Sequence, residues 1–192
     1  MNVFQVNYTK INGGKYSEFY NKSVHKLENA AIQRYIHSVL QPGDTVVDFG
    51  CGAGLGKQLI VDGPYAVKEY HETPETVVVQ GVDPFAIFEP DFLMTAQDAV
   101  KRMRWDTALI LFSAEEIGWK TVVEIWEKSE RAVVVFMNNT VNHQGSYLHH
   151  KWLRWLFYYW YQSIRIKHEL KKRAHIEPLI NMDGYWVAVK NS

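Results

Sequence analysis

Between Val46 and Gly54 the chain reads Val-Val-Asp-Phe-Gly-Cys-Gly-Ala-Gly, an apolar run that ends in a carboxylate and three alternating glycines. Glycines at the end of a buried run let the backbone turn tightly and leave room for a ligand that side chains would displace. Three glycine-rich motifs compete for such a turn, and spacing separates them. The dinucleotide pattern G-x-G-x-x-G needs glycine where Leu55 or Lys57 stands, so it is not met. The phosphate loop G-x-x-x-x-G-K-[ST], set on Gly56-Lys57, needs glycine at Cys51 and a hydroxyl at Gln58, and it fails too. What remains is G-x-G-x-G, over Gly50, Gly52 and Gly54, with Asp48 two residues ahead.

The full pattern, apolar-apolar-Asp-x-Gly-x-Gly-x-Gly, resembles motif I of the class I S-adenosylmethionine-dependent methyltransferases at every defined position. The resemblance implies S-adenosyl-L-methionine as cofactor, held by its amino-acid and ribose ends because it has no phosphate. Asp48 is then the carboxylate for the methionine ammonium, with Gly50, Cys51, Gly52 and Gly54 forming the turn around it. Asp83-Pro84, after a second apolar run, stands where the family places its ribose-binding acid. Asp98, or Gln97 as the alternative, stands where the family contacts the adenine amino group, and Ser113 follows the fourth strand beside the cofactor. Asp83 comes 35 positions after Asp48, more than the ~20 usual between such partners, so residues 61–76 read as an insertion.

Methyl transfer is an in-line displacement at an already activated carbon, so orienting the nucleophile supplies much of the rate. The general bases available near the acceptor end are Glu115, Glu116 and His143, and the imidazole of His143 titrates near neutrality. The family's amino-methylating nucleic-acid enzymes carry Asn or Asp, two prolines and an aromatic after the fourth strand. Ser113-Ala114-Glu115-Glu116-Ile117-Gly118-Trp119 has no proline there, which disfavours that class. Ribose 2′-hydroxyl methylation, with its Lys-Asp-Lys-Glu tetrad, is disfavoured by Ser113 and Met137-Asn138. The acceptor stays open among small molecule, RNA and protein, with an RNA cap guanine-N7 enzyme and a non-catalytic cofactor-binding scaffold as alternatives. Arg165, Lys167, Lys171, Lys172 and Arg173 offer phosphate contacts or, equally, a solvated face. His149-His150 and His175 lack the ligand spacing of a metal site.

The elements that must position these groups fit one domain, since 192 residues bury one sizeable core and 47% of them are hydrophobic. Lys plus Arg balances Asp plus Glu at 21 each, so no global field draws the chain to nucleic acid or to a membrane, and any such affinity is local. A single cysteine and the absence of a long apolar run suggest a cytoplasmic protein without membrane attachment. Residues 1–22, with Tyr8, Tyr16, Phe19 and Tyr20 around Gly13-Gly14, read as an arm or lid ahead of a domain over 23–192. Apolar spacing predicts a helix from Ser23 to Leu40, then strands at Thr45–Phe49, Val77–Val82, Phe92–Thr95, Ala108–Phe112 and Ala132–Met137, with a helix over Thr121–Glu130. Trp152, Trp155, Leu156, Tyr159 and Trp160 recur at helical spacing and predict a helix from His149 that packs one face on the sheet and ends near Ser163. Ile164, Ile166, His168 and Leu170 alternate with charged residues, the period of a half-buried strand, and a closing strand follows at Tyr185–Val189. The expected fold is α/β, a seven-stranded mostly parallel sheet with helices on both faces and a C-terminal antiparallel hairpin.

Overall fold

The computed structural model describes residues 26–52, 54–60, 76–137, 150–179 and 184–191. The expected arm over 1–22, all of the insertion but Thr76, and His143 and His149 lie outside the described residues. In chain order the elements are α1 (Lys26–Val39), β1 (Thr45–Phe49), α2 (Leu55–Ile60), β2 (Val78–Asp83), β3 (Phe92–Leu93), α3 (Ala96–Arg102) and β4 (Thr107–Leu111). There follow α4 (Ala114–Ile117), α5 (Trp119–Lys128), β5 (Arg131–Met137), α6 (His150–Lys171), β6 (Ile176–Pro178) and β7 (Tyr185–Lys190).

Burial on both sides of the sheet explains why its inner strands are continuous apolar runs. Val47, Phe49, Ala108, Ile110, Ala132, Val134 and Phe136 point to one face, where they meet Val100, Ile117, Ile125, Ile166 and Leu170 of α3 to α6. Val46, Leu109, Leu111, Val133 and Val135 point to the other, against Ile32 and Ile36 of α1 and Leu59 of α2. The strand order is β3-β2-β1-β4-β5-β7-β6. The first five strands run parallel, β7 pairs antiparallel with both β5 and β6, and the expected hairpin is present. Strand order reverses between β1 and β4, and an open α/β sheet binds its ligands outside the carboxyl ends of the strands at that point. Pairing of Asp48 with both Gly81 and Leu109 sets those ends of β1, β2 and β4 side by side.

Two expectations are corrected near the carboxyl terminus. The helix does not stop near Ser163 but continues to Lys171, so the predicted strand over Ile164–Leu170 is helical and β6 is the three-residue Ile176–Pro178. Ile166 and Leu170, both fully buried, are four apart and therefore share a helical face as well as one side of a strand. Trp160, expected to pack on the sheet, is 47% exposed, because α6 docks through Gln162, Ser163, Ile166 and Leu170 instead.

At the opposite end of the sheet a buried network joins three elements. Asp44 Oδ2 accepts from Thr107 Oγ1 (2.7 Å) and from the backbone of Gln41 (3.0 Å), while the guanidinium of Arg131 spans both carboxylate oxygens. The turn before β1 is thereby tied to β4 and β5. Removing one partner leaves the other as an uncompensated buried charge, so Asp44→Ala should lower unfolding stability by about 3–5 kcal/mol in urea titrations.

Candidate functional site

The chain leaves β1 through Gly50, Gly52 and Gly54 at φ of +68°, +49° and +79°, a region that costs other residues steric strain. A side chain at Gly52 or Gly54 would meet no atom within 4 Å, so this backbone borders open space. Gly56, in the first turn of α2, has the opposite role. A Cβ there would fall 2.5 Å from Asp48 Oδ2, and its N–H donates to that same oxygen at 3.1 Å. Asp48 thus lies beneath the turn, 2% exposed, with Oδ1 buried and without a partner among the described residues.

Asp83 fastens the turn to β2. Its Oδ2 accepts from Gly52 N (3.1 Å), and its Oδ1 accepts from Phe85 N (2.9 Å) in a local turn around Pro84. The amides of Gly50 and Cys51 both donate to the carbonyl of Val82, at 2.8 and 3.2 Å. Cys51 is buried against Gly81, where an added Cβ would be 2.8 Å from its Sγ. Burial, with Asp48, Asp83 and Asp91 nearby, pushes that thiol far above its ordinary range, which leaves it protonated and inert.

On the β4 side, Phe112 takes a left-handed conformation at φ +62°. That sharp turn brings Ser113 under Gly50, with its Oγ donating to the carbonyl of Phe49 at 2.8 Å. The next two residues, both acids, diverge. Glu115 is 2% exposed, and its Oε1 accepts from Met137 N (2.7 Å) and Ser163 Oγ (3.0 Å), so it joins α4 to β5 and α6. Glu116 accepts from the hydroxyl of Tyr159 at 3.2 Å. Gln97 Nε2 donates to the carbonyl of Ile117 (3.0 Å), which places Gln97 beside α4. Asp98 is engaged in capping its own helix, with its N–H donating to Thr95 Oγ1 (3.1 Å) and that hydroxyl donating to its Oδ2 (2.9 Å).

The five basic residues do not gather into one open patch. Arg165, Lys172 and Arg173 converge on Glu169 at 3.9, 2.9 and 3.0 Å, while Lys167 lies over the Trp186 ring. Among the described residues no cluster of three His, Cys, Asp or Glu has the geometry to hold a metal. Two participants escaped the sequence reading. Gly56 was visible as a glycine one turn past the motif, and Tyr159 read as part of an apolar helix face.

No family model matches the chain, and no curated protein matches it. Solved structures do. The plantazolicin methyltransferase BpumL, in complex with a pentazolic desmethylPZN analog and SAH, superposes at TM-score 0.57 and 12% identity over 95% of this chain and 91% of that one. A SAM-dependent methyltransferase from Aquifex aeolicus gives 0.51 and 12% over 92% and 96%. A phosphoethanolamine N-methyltransferase 2 from Haemonchus contortus gives 0.56 and 10%, over all of this chain and 61% of that one. This chain has the class I methyltransferase fold. Within that fold the Gly50–Gly56 turn and Asp83 sit at the switch point between β1 and β4.

Burial sets the electrostatics of the site. Burial pushes Asp48 up to about 7, against the opposing Gly56 hydrogen bond and with the charge of Asp83 adding. Burial likewise raises Asp83. Glu116 rises to about 7, again through burial, with Tyr159 opposing and Asp83 and Glu115 adding. No Lys or Arg among the described residues pairs with any of the three; Lys57 pairs with Asp91 at 3.3 Å, and Lys120 lies over the Trp119 ring. A carboxyl whose folded pKa lies above its unfolded one favours folding most at low pH, and that contribution is lost as pH rises through the folded value. For Asp48 the loss is roughly 1.4 kcal/mol per pH unit between about 4 and 7. The ligand-free melting temperature should therefore fall from pH 5 to pH 8, and Asp48→Asn should flatten that slope in thermal scans.

Proposed function

We propose that the chain binds S-adenosyl-L-methionine at the glycine turn and is a methyltransferase. The observation that carries this reading is the pair of buried carboxylates, Asp48 and Asp83, around open backbone with no paired cation among the described residues. Such a site repels a pyrophosphate and favours a ligand with positive charge, which a sulfonium and an ammonium supply. Solved neighbours described with SAH support the same cofactor.

The described residues fit the group. The unpartnered Oδ1 of Asp48 gives the ammonium end its counter-charge, and each oxygen of Asp83 receives one amide in the structure and retains acceptor capacity for a ribose hydroxyl. Of the two candidates for the adenine amino group, Gln97 is the one favoured, because Asp98 caps its own helix. When bound, the cofactor supplies a methyl group activated by the sulfonium charge. Glu116, poised near neutrality beside Tyr159, serves as the base that takes a proton from the acceptor nucleophile. Glu115 holds α4 in position through Met137 and Ser163.

In titration calorimetry the chain should bind S-adenosylmethionine and S-adenosylhomocysteine but not NAD, and tight NAD binding without sulfonium binding would overturn the reading. Asp83→Ala should weaken cofactor binding by roughly ten- to a hundredfold, from about 1.5–3 kcal/mol for a charge-assisted hydrogen bond. With labelled cofactor and pooled RNA, protein and metabolite fractions, turnover should rise as pH passes about 7. Glu116→Gln should cut it by about a hundredfold with cofactor affinity retained.

A further inference from the structure

Helix α6 carries a run of exposed aromatic side chains that the packing of the sheet does not use. Phe157, Tyr158, Trp160 and Tyr161 are 65%, 47%, 47% and 49% exposed, four large apolar side chains within five consecutive residues. Exposed apolar residues scattered singly need no explanation, but a contiguous group marks a surface that something covers. At 100° per residue the four lie on one arc of roughly 160°. Tyr159 points the other way, to Glu116. Among the described side chains of α6, Gln162, Ser163, Ile166 and Leu170 are buried, and the exposed aromatic residues lie just before them.

Two features identify what fits this face. Tyr and Trp combine an apolar ring with a polar edge, the pairing that suits the boundary between lipid headgroups and acyl chains. From His150 to His168 the helix carries Lys151, Arg154, Arg165 and Lys167 and no Asp or Glu, in a chain whose charges balance as a whole. We propose that the amino-terminal half of α6 lies on an anionic lipid bilayer, its exposed aromatic residues seated at the headgroup level and its acid-free, basic sequence matched to acidic headgroups. No helix among the described residues is long and apolar enough to cross a membrane, so the helix rests in the interface plane.

A second copy of the chain fits less well, because a two-fold contact sets this acid-free helix against its own basic residues. A single-stranded nucleic acid needs a basic groove beside its stacking rings. Here the face is a convex helix, and Lys172 and Arg173 are held by Glu169. The net balance of 21 basic and 21 acidic residues, which suggested no membrane attachment, says nothing of one helix half. This proposal does not depend on the cofactor reading.

The test uses the full chain with vesicles of phosphatidylcholine alone and of phosphatidylcholine with phosphatidylglycerol, read by co-sedimentation and tryptophan fluorescence. Binding to the anionic vesicles should be about tenfold or more tighter than to the neutral ones and should weaken with salt. Phe157→Ser with Trp160→Ser, and separately Lys151→Glu with Arg154→Glu, should each reduce it by about tenfold while circular dichroism and melting temperature stay unchanged. Absence of binding to anionic vesicles by the unaltered chain overturns the proposal. So does conversion of a dimer to a monomer by the serine pair, a large fall in its melting temperature, or preferential binding of a single-stranded RNA oligomer that the serine pair abolishes.

Discussion

The contact between the buried carboxylate of Asp48 and the amide of Gly56 governs the geometry of everything above it. It draws the first turn of α2 down onto the end of β1, and only glycine permits that approach because a Cβ would collide with the carboxylate. The loop between the two elements must then reverse within a few residues, which requires the left-handed backbone of Gly50, Gly52 and Gly54. Asp83 completes the arrangement from β2 by holding Gly52. Strand register, helix position and loop conformation thus share one cause, a charge kept out of water at the centre of the sheet.

The glycine turn and the carboxylate before it were legible in the sequence because their determinants are local, whereas the contact with Gly56 was not read. A glycine at positive φ and a carboxylate two residues before it leave their mark within nine residues, and the inner strands announce themselves as apolar runs because both faces are covered. The resemblance to the methyltransferase motif rests on the same short window, and the superpositions at 10–12% identity extend it to the topology. The cap of α3 is also local, since Thr95 and Asp98 stand in the spacing of a capping box, but the sequence reading gave Asp98 to the adenine amino group and did not see the cap.

Elsewhere the sequence left two answers open because two periods coincide. Positions 166 and 170 share a face in a strand and in a helix, and only the packing of Ile166 and Leu170 beneath the sheet decides for α6. Glu115 and Glu116 differ by one step of about 100° around α4, a rotation that composition cannot see. One step leads into hydrogen bonds with Met137 and Ser163, the other to Tyr159. The exposure of Trp160 has the same origin, since an aromatic at helical spacing meets the sheet only where the helix has already reached it.

Three adjoining hydrogen bonds fasten α6 to α4 and the start of α5, from Tyr159 to Glu116, from Ser163 to Glu115 and from the Trp119 amide to Gln162. They lie within one and a half turns of helix, so α6 cannot rotate about its axis without breaking them together. Thermodynamic reciprocity then applies to the two sides of this helix. Whatever grips its outward face and shifts that rotation changes the setting of Glu116, and a molecule bound at Glu116 changes the grip on the outward face by the same factor.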